Sequence, residues 1–344
     1  MHKGIGEGIA KKELKGLREM QVVDMHCDTI SEIADKRAAG EELGLRKNGL
    51  HVDLERMRES GYLLQNFALF VNVKKCGSPW QRCCDLYEVY RKELEENRDI
   101  LAPVHCFEDI EANKKRGKMS AMLTVEEGAV CQGETSKLNQ LYEMGVRMMT
   151  LTWNYPNEIG FPNVRPGKHF EPDTENGLTQ TGIAFVHHME ELGMIVDVSH
   201  LSDAGFYDVL KHSTKPFVAS HSNAREVCGF VRNMTDDMIR KLSERGGCMG
   251  LNFCADFLET VPEGEKNPGT VAAVVRHAKH IVNVGGIEVL GLGSDFDGID
   301  THRELPGAQS MGRLWNALHD GGFTESEVEK IFTGNVLRVY REVL

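Results

Sequence analysis

Residues 194–200 read Met-Ile-Val-Asp-Val-Ser-His, an almost unbroken apolar run that stops on an imidazole. A strand with one wet face alternates apolar and polar residues, so a continuous run marks a strand covered on both faces, the habit of parallel sheets. Residues 248–253, CMGLNF, have the same character. Working outward from these two, the chain holds eight such runs: Val22–His26, Tyr62–Val73, Ser120–Glu126, Val146–Trp153, Met194–His200, Pro216–Ser222, Gly247–Phe253 and Val289–Asp295. Segments of helical character separate them, at Pro79–Glu96, Thr135–Glu143, Thr179–Leu192, Ser202–Leu210, Thr235–Glu244 and Thr270–Val284, with Ser or Thr near several starts. Strand–helix alternation over 344 residues points to an α/β fold, a (β/α)8 TIM-like barrel. Periodicity does not show closure, so a doubly wound open sheet is the rival. Residues 1–20 read as an N-terminal helical extension, 21–344 as one barrel domain, and 154–176 as a long loop at the active face.

Composition narrows the function. The net charge of −12 opposes a sequence-independent grip on phosphate backbones, which needs clustered Lys and Arg, so no nucleic acid partner is expected. No tract is long and apolar enough to span a bilayer, so no membrane partner is expected. The start, MHKGIGEGIAKKELKGLREMQ, lacks the apolar core of about 7 to 15 residues that a secretory signal needs. A cytoplasmic location is therefore expected. The nine cysteines are odd in number and form no C-x-x-C pair, so neither a disulfide framework nor a zinc-thiolate knuckle is indicated.

The ends of the runs carry the chemistry. His26 and Asp28 close the first, Glu126 the third, His200 the fifth, His221 the sixth and Asp295 the eighth. A core strand normally ends in turn residues, and in a barrel these ends converge on one mouth. Imidazole nitrogens and carboxylate oxygens suit zinc and related divalent ions. Five or six ligands exceed what one tetrahedral ion uses, which favours two metals about 3.5–4 Å apart sharing an acidified water. His26 and Asp28, two apart, point the same way while Cys27 points elsewhere, and only one of Glu126 and Glu127 can face the mouth. Taken singly, each histidine could instead hydrogen-bond a loop, Asp295 could cap a helix, and Arg232 could form a surface ion pair. His187 and His188 read as packing residues, Asp297 and Asn252 as supports of the ligands, and Asp197 as structural.

Several motifs together resemble a known family: H-x-D at 26–28, VEEG at 125–128, TLTWN at 150–154, GLTQTGIAFVHHMEELGMIVDVSH at 177–200, ASHSNAR at 219–225, VRNMTDD at 231–237, GSDFDG at 293–298 and TGNVLRVYREVL at 333–344. In this order they look like the membrane (renal) dipeptidase family of zinc peptidases, over nearly the whole chain from residue 22. The resemblance implies a barrel of the metal-dependent hydrolase type with two zinc ions, other divalent ions being open, and a dipeptide substrate. By the same resemblance His26 and Asp28 hold one zinc, His200 and His221 the other, and Glu126 bridges them. Arg232 corresponds to the arginine that meets the substrate carboxylate, and Asp295 to the aspartate assigned proton transfer. Mammalian members carry a histidine after T-L-T; here Trp153 stands there, followed by Asn154, and both are assigned to substrate binding. Those members are also secreted and lipid-anchored, traits not expected to transfer, because no signal is read at the start and REVL closes the sequence without an apolar tail. Dimers are common in the family, which makes a homodimer one expectation.

The mechanism implied is metal-assisted amide hydrolysis. A hydroxide bridging the zincs attacks the scissile carbonyl, Asp295 passes the water's proton to the leaving amine, and Arg232 clamps the free carboxylate. Two alternatives come from other classes. A barrel deaminase or lactonase commonly shows H-x-H at its first strand and often a carboxylated lysine at its fourth, but this chain has H-x-D and no lysine in VRMMTLTW. A non-catalytic metal-binding barrel is opposed by the retained Asp295.

Overall fold

The computed structural model describes residues 20–262, 264, 265, 267–300 and 302–344. The helical extension expected at 1–20 lies, apart from Met20, outside the described residues. Nine strands carry the architecture: β1 Val22–Asp24, β2 Tyr62–Phe70, β3 Leu101–Pro103, β4 Met119–Glu126, β5 Val146–Thr150, β6 Ile195–Asp197, β7 Val218–Ala219, β8 Cys248–Leu251 and β9 Leu290–Leu292. All their pairings are parallel. The order runs β2-β1-β9-β8-β7-β6-β5-β4, and β4 pairs again with β2 from Leu64↔Ser120 to Phe70↔Glu126. That pairing closes the ring, so eight strands form a parallel barrel and the open sheet is excluded.

β3 stands outside the ring. It pairs with Met119–Ala121 at the start of β4, on the edge that β5 occupies from Leu123 onward. Neither β3 nor the helix Phe107–Lys115 after it was expected, because three residues ending in Pro103 make no apolar run for a pattern to catch. Apart from β4, which begins one residue earlier than its run, the remaining strands are shorter than their runs. His26, His200, His221 and Asp295 lie just past the hydrogen-bonded ladder, where the chain stays buried after the strand has ended.

The expected crossover helices form, and their starts explain themselves. Thr179, Ser202, Thr235 and Thr270 each accept a hydrogen bond from the backbone N–H three residues on, satisfying a donor the first helical turn leaves free. Helices at Thr29–Ala38, Leu54–Glu59, Met311–Asp320 and Asn335–Val343 complete the layer. Among the described residues no helix is long and apolar enough to cross a membrane.

One interior layer sets the floor beneath the mouth. Val23, Leu64, Met122, Met148, Ile195, Val218 and Cys248, from seven ring strands, belong to one buried cluster with Val336, Val339 and Tyr340 of the last helix. Residues from strands all around a ring meet only inside it, so this helix packs against the barrel's lower opening. The eighth strand contributes Gly291, where a Cβ would lie 2.6 Å from Val336 Cγ2. The lower end is thus filled, and the upper end is free for chemistry.

Candidate metal centre

The ends of β1, β4, β6, β7 and β9 deliver His26 with Asp28, Glu126, His200, His221 and Asp295 to the upper mouth, none more than 8% exposed. The Glu126 carboxylate sits between two groups. Its Oε2 lies 3.4 Å from His26 Nε2, while its Oε1 lies 3.0 Å from His200 Nε2 and 3.6 Å from His221 Nε2. His26 Nε2 also lies 3.4 Å from Asp28 Oδ2 and 3.8 Å from Asp295 Oδ1. The His26 and His221 rings stack with centroids 3.9 Å apart. Two overlapping sets, His26–Glu126–His221 and His26–Asp28–Asp295, each bring their ligand atoms within 4.8 Å of one another.

These residues fit divalent cations on three structural grounds. First, both ring nitrogens of His26 and Oδ1 of Asp28 are buried without a hydrogen-bond partner, a costly state unless something else engages them. Second, His200 and His221 face each other through Nε2 at 3.0 Å. His200 Nδ1 meets Asn154 Oδ1 at 2.9 Å, an acceptor only, so the ring proton sits on Nδ1 and the lone pair of Nε2 points inward. Nitrogens about 2.0–2.1 Å from one tetrahedral zinc stand only slightly farther apart than this pair. Third, Gly298 leaves room: a Cβ there would lie 2.1 Å from Asp28 Oδ2 and 2.7 Å from Asp295 Oδ1.

Electrostatics agree. Burial lowers the His26 pKa, yet the carboxylates of Glu126 and Asp28 outweigh it and hold that imidazole well above its ordinary value. Burial pushes Glu126 up to about 7 and Asp295 up to about 6, with His26 pulling both back. Burial, reinforced by Arg232 and His26, drives His200 and His221 well below the usual imidazole range. The pocket demands positive charge on one side and neutral imidazoles on the other.

Backbone strain concentrates here too. His200 (φ 69°), Asp295 (φ 64°) and Asp297 (φ 68°) all adopt the left-handed conformation, which costs a non-glycine residue on the order of 1 kcal/mol. Short polar links hold them. Asn252 Nδ2 donates to Asp295 Oδ2 at 2.8 Å, and Asp297 accepts from Thr29 Oγ1 and the His51 backbone, both at 2.6 Å.

A cavity of about 610 Å³ opens over the centre, lined by Asp28, Glu126, His200 and Asp295, with Trp153 and Asn154 on its wall. Asn154 also orients His200. Arg232 is buried to one side: it borders a separate small recess with His200 and donates through Nη2 to the His221 carbonyl at 3.1 Å, while its Nε has no partner. Cys27 packs away from the mouth, its Sγ donating to the Asn66 carbonyl. Glu127, fully buried, accepts from the Ala129 and Trp153 backbone and from Asn157, so it shapes the loop and does not face solvent. His187 is exposed and bonds the His212 carbonyl, which corrects its reading as a packing residue.

Asp24 and Ser294 escape the sequence reading. Ser294 donates its backbone N–H and hydroxyl to the two Asp24 oxygens at 2.8 and 2.6 Å, tying the strand before His26 to the residue before Asp295. The available signal is a polar residue inside an apolar run, two positions before His26 in one case and one before Asp295 in the other.

Buried imidazoles and carboxylates at the C-terminal mouth of an eight-stranded parallel barrel define a metal-dependent hydrolase with a TIM-like amidohydrolase fold. Residues 11–344 match the family model described as membrane dipeptidase, peptidase family M19. An uncharacterized dipeptidase of Schizosaccharomyces pombe is 32% identical over 316 residues, covering 86% of this chain and 73% of the relative. Among solved structures, dipeptidase AC, a metallo peptidase of family M19, superposes with a TM-score of 0.86 at 26% identity, covering 94% of this chain and 98% of that one. A metallo peptidase from Rhodobacter sphaeroides, liganded with a phosphinate mimic of the dipeptide L-Ala-D-Ala, has the same fold at 24% identity, with a TM-score of 0.84 over 94% of this chain and 99% of that one. The chain belongs to the M19 family and is a metallo-dipeptidase.

Proposed function

We propose that this protein hydrolyses dipeptides with two divalent cations, zinc foremost, held by His26 and Asp28 on one side and by His200 and His221 on the other. Glu126 joins the halves. The observation that carries this reading is the division of its carboxylate, with Oε2 nearest His26 and Oε1 nearest His200 and His221. Bound there, such cations supply Lewis acidity for the scissile carbonyl and bring the pKa of water toward neutrality.

The chain's own groups supply the rest. Asp295, with Oδ2 held by Asn252, keeps Oδ1 for the proton lost by the attacking water and returned to the leaving amine. Arg232 binds the substrate carboxylate, its unpartnered buried Nε being the donor available to it. Trp153, edge-on to Phe70 at 5.0 Å, forms the apolar wall for a substrate side chain. The Rhodobacter sphaeroides enzyme's dipeptide mimic supports this substrate class.

Purified protein should contain close to two equivalents of divalent metal and release free amino acids from L-L and L-D dipeptides, and chelation should abolish the release. Protein without bound metal, or active after complete chelation, would overturn the reading.

A further inference from the structure

We propose that Asp197 and Ser220 form a proton-orienting relay that fixes His221 in the one tautomer able to ligate a cation. Asp197 is then a positioning residue of the centre. The inference rests on the metal-binding reading above, but the geometry behind it is separate.

Asp197 ends β6 and is fully buried. Its Oδ1 accepts the backbone N–H groups of Ser199 at 3.0 Å and Ser220 at 2.8 Å. Its Oδ2 accepts the hydroxyls of Thr150 at 2.6 Å and Ser220 at 2.5 Å. One carboxylate thereby links β5, β6 and the segments carrying both His200 and His221.

The Ser220 hydroxyl also lies 2.7 Å from His221 Nδ1. It has one proton, and its two nearest neighbours are Asp197 Oδ2 and His221 Nδ1. A carboxylate only accepts, and a charge-assisted bond outcompetes a neutral one, so that proton goes to Asp197. Ser220 Oγ must then accept from His221 Nδ1, which carries the ring hydrogen. The lone pair is left on Nε2, 3.0 Å from His200 Nε2 and 3.6 Å from Glu126 Oε1. The surroundings close consistently: Ser199 Oγ accepts the His221 backbone N–H at 3.1 Å and lies 3.3 Å from Ser220 Oγ, to which it can donate. Each hydrogen is used once.

The opposite half of the centre shows what is particular to this pair. Asp24 and Ser294 make the same carboxylate–serine link immediately before a mouth residue. Asp24 reaches only the His26 backbone N–H, at 3.3 Å, and the link touches no ring nitrogen. It braces strands, whereas the Asp197–Ser220 link also sets a proton.

Asp197→Asn tests the relay because the backbone dictates how the amide must sit. The N–H groups of Ser199 and Ser220 require an oxygen at the Oδ1 position, so the new NH₂ faces the Ser220 hydroxyl and donates to it. Ser220 then turns its proton to His221 Nδ1, and the ring hydrogen moves to Nε2. Ring ¹⁵N spectra of metal-free protein should report His221 as Nδ1–H in the wild type and Nε2–H in Asp197→Asn. Zinc titration against a competing chelator should show the His200–His221 equivalent about ten- to a hundredfold weaker, the size of effect outer supports of metal ligands have. Ser220→Ala, which imposes no tautomer, should fall between the two, and it carries the test if Asp197→Asn does not fold. An Nδ1–H His221 in Asp197→Asn, or wild-type zinc affinity in Ser220→Ala, would overturn the relay. Failure of the wild type to bind zinc at all would instead count against the metal centre, leaving the tautomer spectra to judge the relay.

Discussion

Asn252 donates to Oδ2 of Asp295 at 2.8 Å, which leaves Oδ1 as the oxygen turned toward His26, 3.8 Å away. The bond ties the end of β8 to the loop after β9 and fixes which oxygen is free for proton transfer. Asp295→Asn keeps the shape and removes the base. It should retain metal and lose kcat by about 10²–10⁴-fold, the usual contribution of a positioned acid–base group. Steady-state kinetics and metal analysis on one preparation decide: loss of a metal equivalent would make Asp295 a ligand, and turnover within a fewfold of wild type would remove it from the reaction.

Gly298 serves the centre by what it lacks. Its backbone is outside the left-handed region, so alanine meets no conformational penalty there, but the added Cβ would sit 2.1 Å from Asp28 Oδ2. A short carboxylate can swing aside without disturbing the barrel. Gly298→Ala should therefore shift Tm by only a few degrees while weakening metal on the His26–Asp28 side and cutting kcat/KM at least about tenfold, since misplaced groups cost rate steeply. Undiminished metal content together with undiminished activity would show that this side of the pocket is looser than the distances state.

What the sequence discloses and what it hides follow from one physical difference. Glu126, His200, His221 and Asp295 are legible because each stops an apolar run, and parallel strands are apolar on both faces. Ring closure is not legible, because it depends on β2 meeting β4 across a long separation. β3 is too short to leave a pattern. Asp24, Asp197, Ser220 and Ser294 hide for another reason: each looks like an isolated polar residue in a strand, and only the pairing of strands shows that they satisfy one another. Arg232 is readable as a motif position, yet its burial beside the His221 carbonyl is a matter of loop path alone.

The wall above the ligands is acidic. Glu32, Asp256, Glu265 and Asp300 line the cavity, and among the described residues none of them has an ion-pair partner, while Lys75 is the one lysine or arginine on that wall. A dipeptide with a cationic side chain should thus be favoured over its acidic counterpart by about tenfold in kcat/KM at low salt, the scale of one or two partly screened charge contacts. Raising ionic strength should shrink the preference, because the Debye length falls to about 8 Å at physiological salt. Comparing lysyl- and glutamyl-alanine at two salt concentrations, with Glu32→Gln alongside, measures this. Equal kcat/KM for both peptides would show that the wall does not select.

Acid sensitivity should come partly from a histidine outside the centre. His277, fully buried on the helix Val271–Gly285, accepts the Ala224 backbone N–H through Nδ1 at 3.1 Å and bonds the Leu258 carbonyl through Nε2 at 2.9 Å. It therefore links the loop after His221 to the short helix Ala255–Leu258, and the bond from Ala224 needs a neutral ring because Nδ1 must keep its lone pair to accept. Burial lowers its pKa to about 4, from an ordinary value of 6.5. The unfolded chain binds that proton more readily, so the stabilisation is complete above pH 6.5 and is lost as pH falls toward 4. The loss should amount to on the order of 3 kcal/mol. In metal-free protein, which removes any contribution from cation release, His277→Gln should keep a neutral acceptor and donor in place and flatten the decline of Tm between pH 6.5 and 4. Parallel curves for wild type and variant across that interval would mean that His277 is protonated in the folded state without cost, and that the bond to Ala224 is not what it guards.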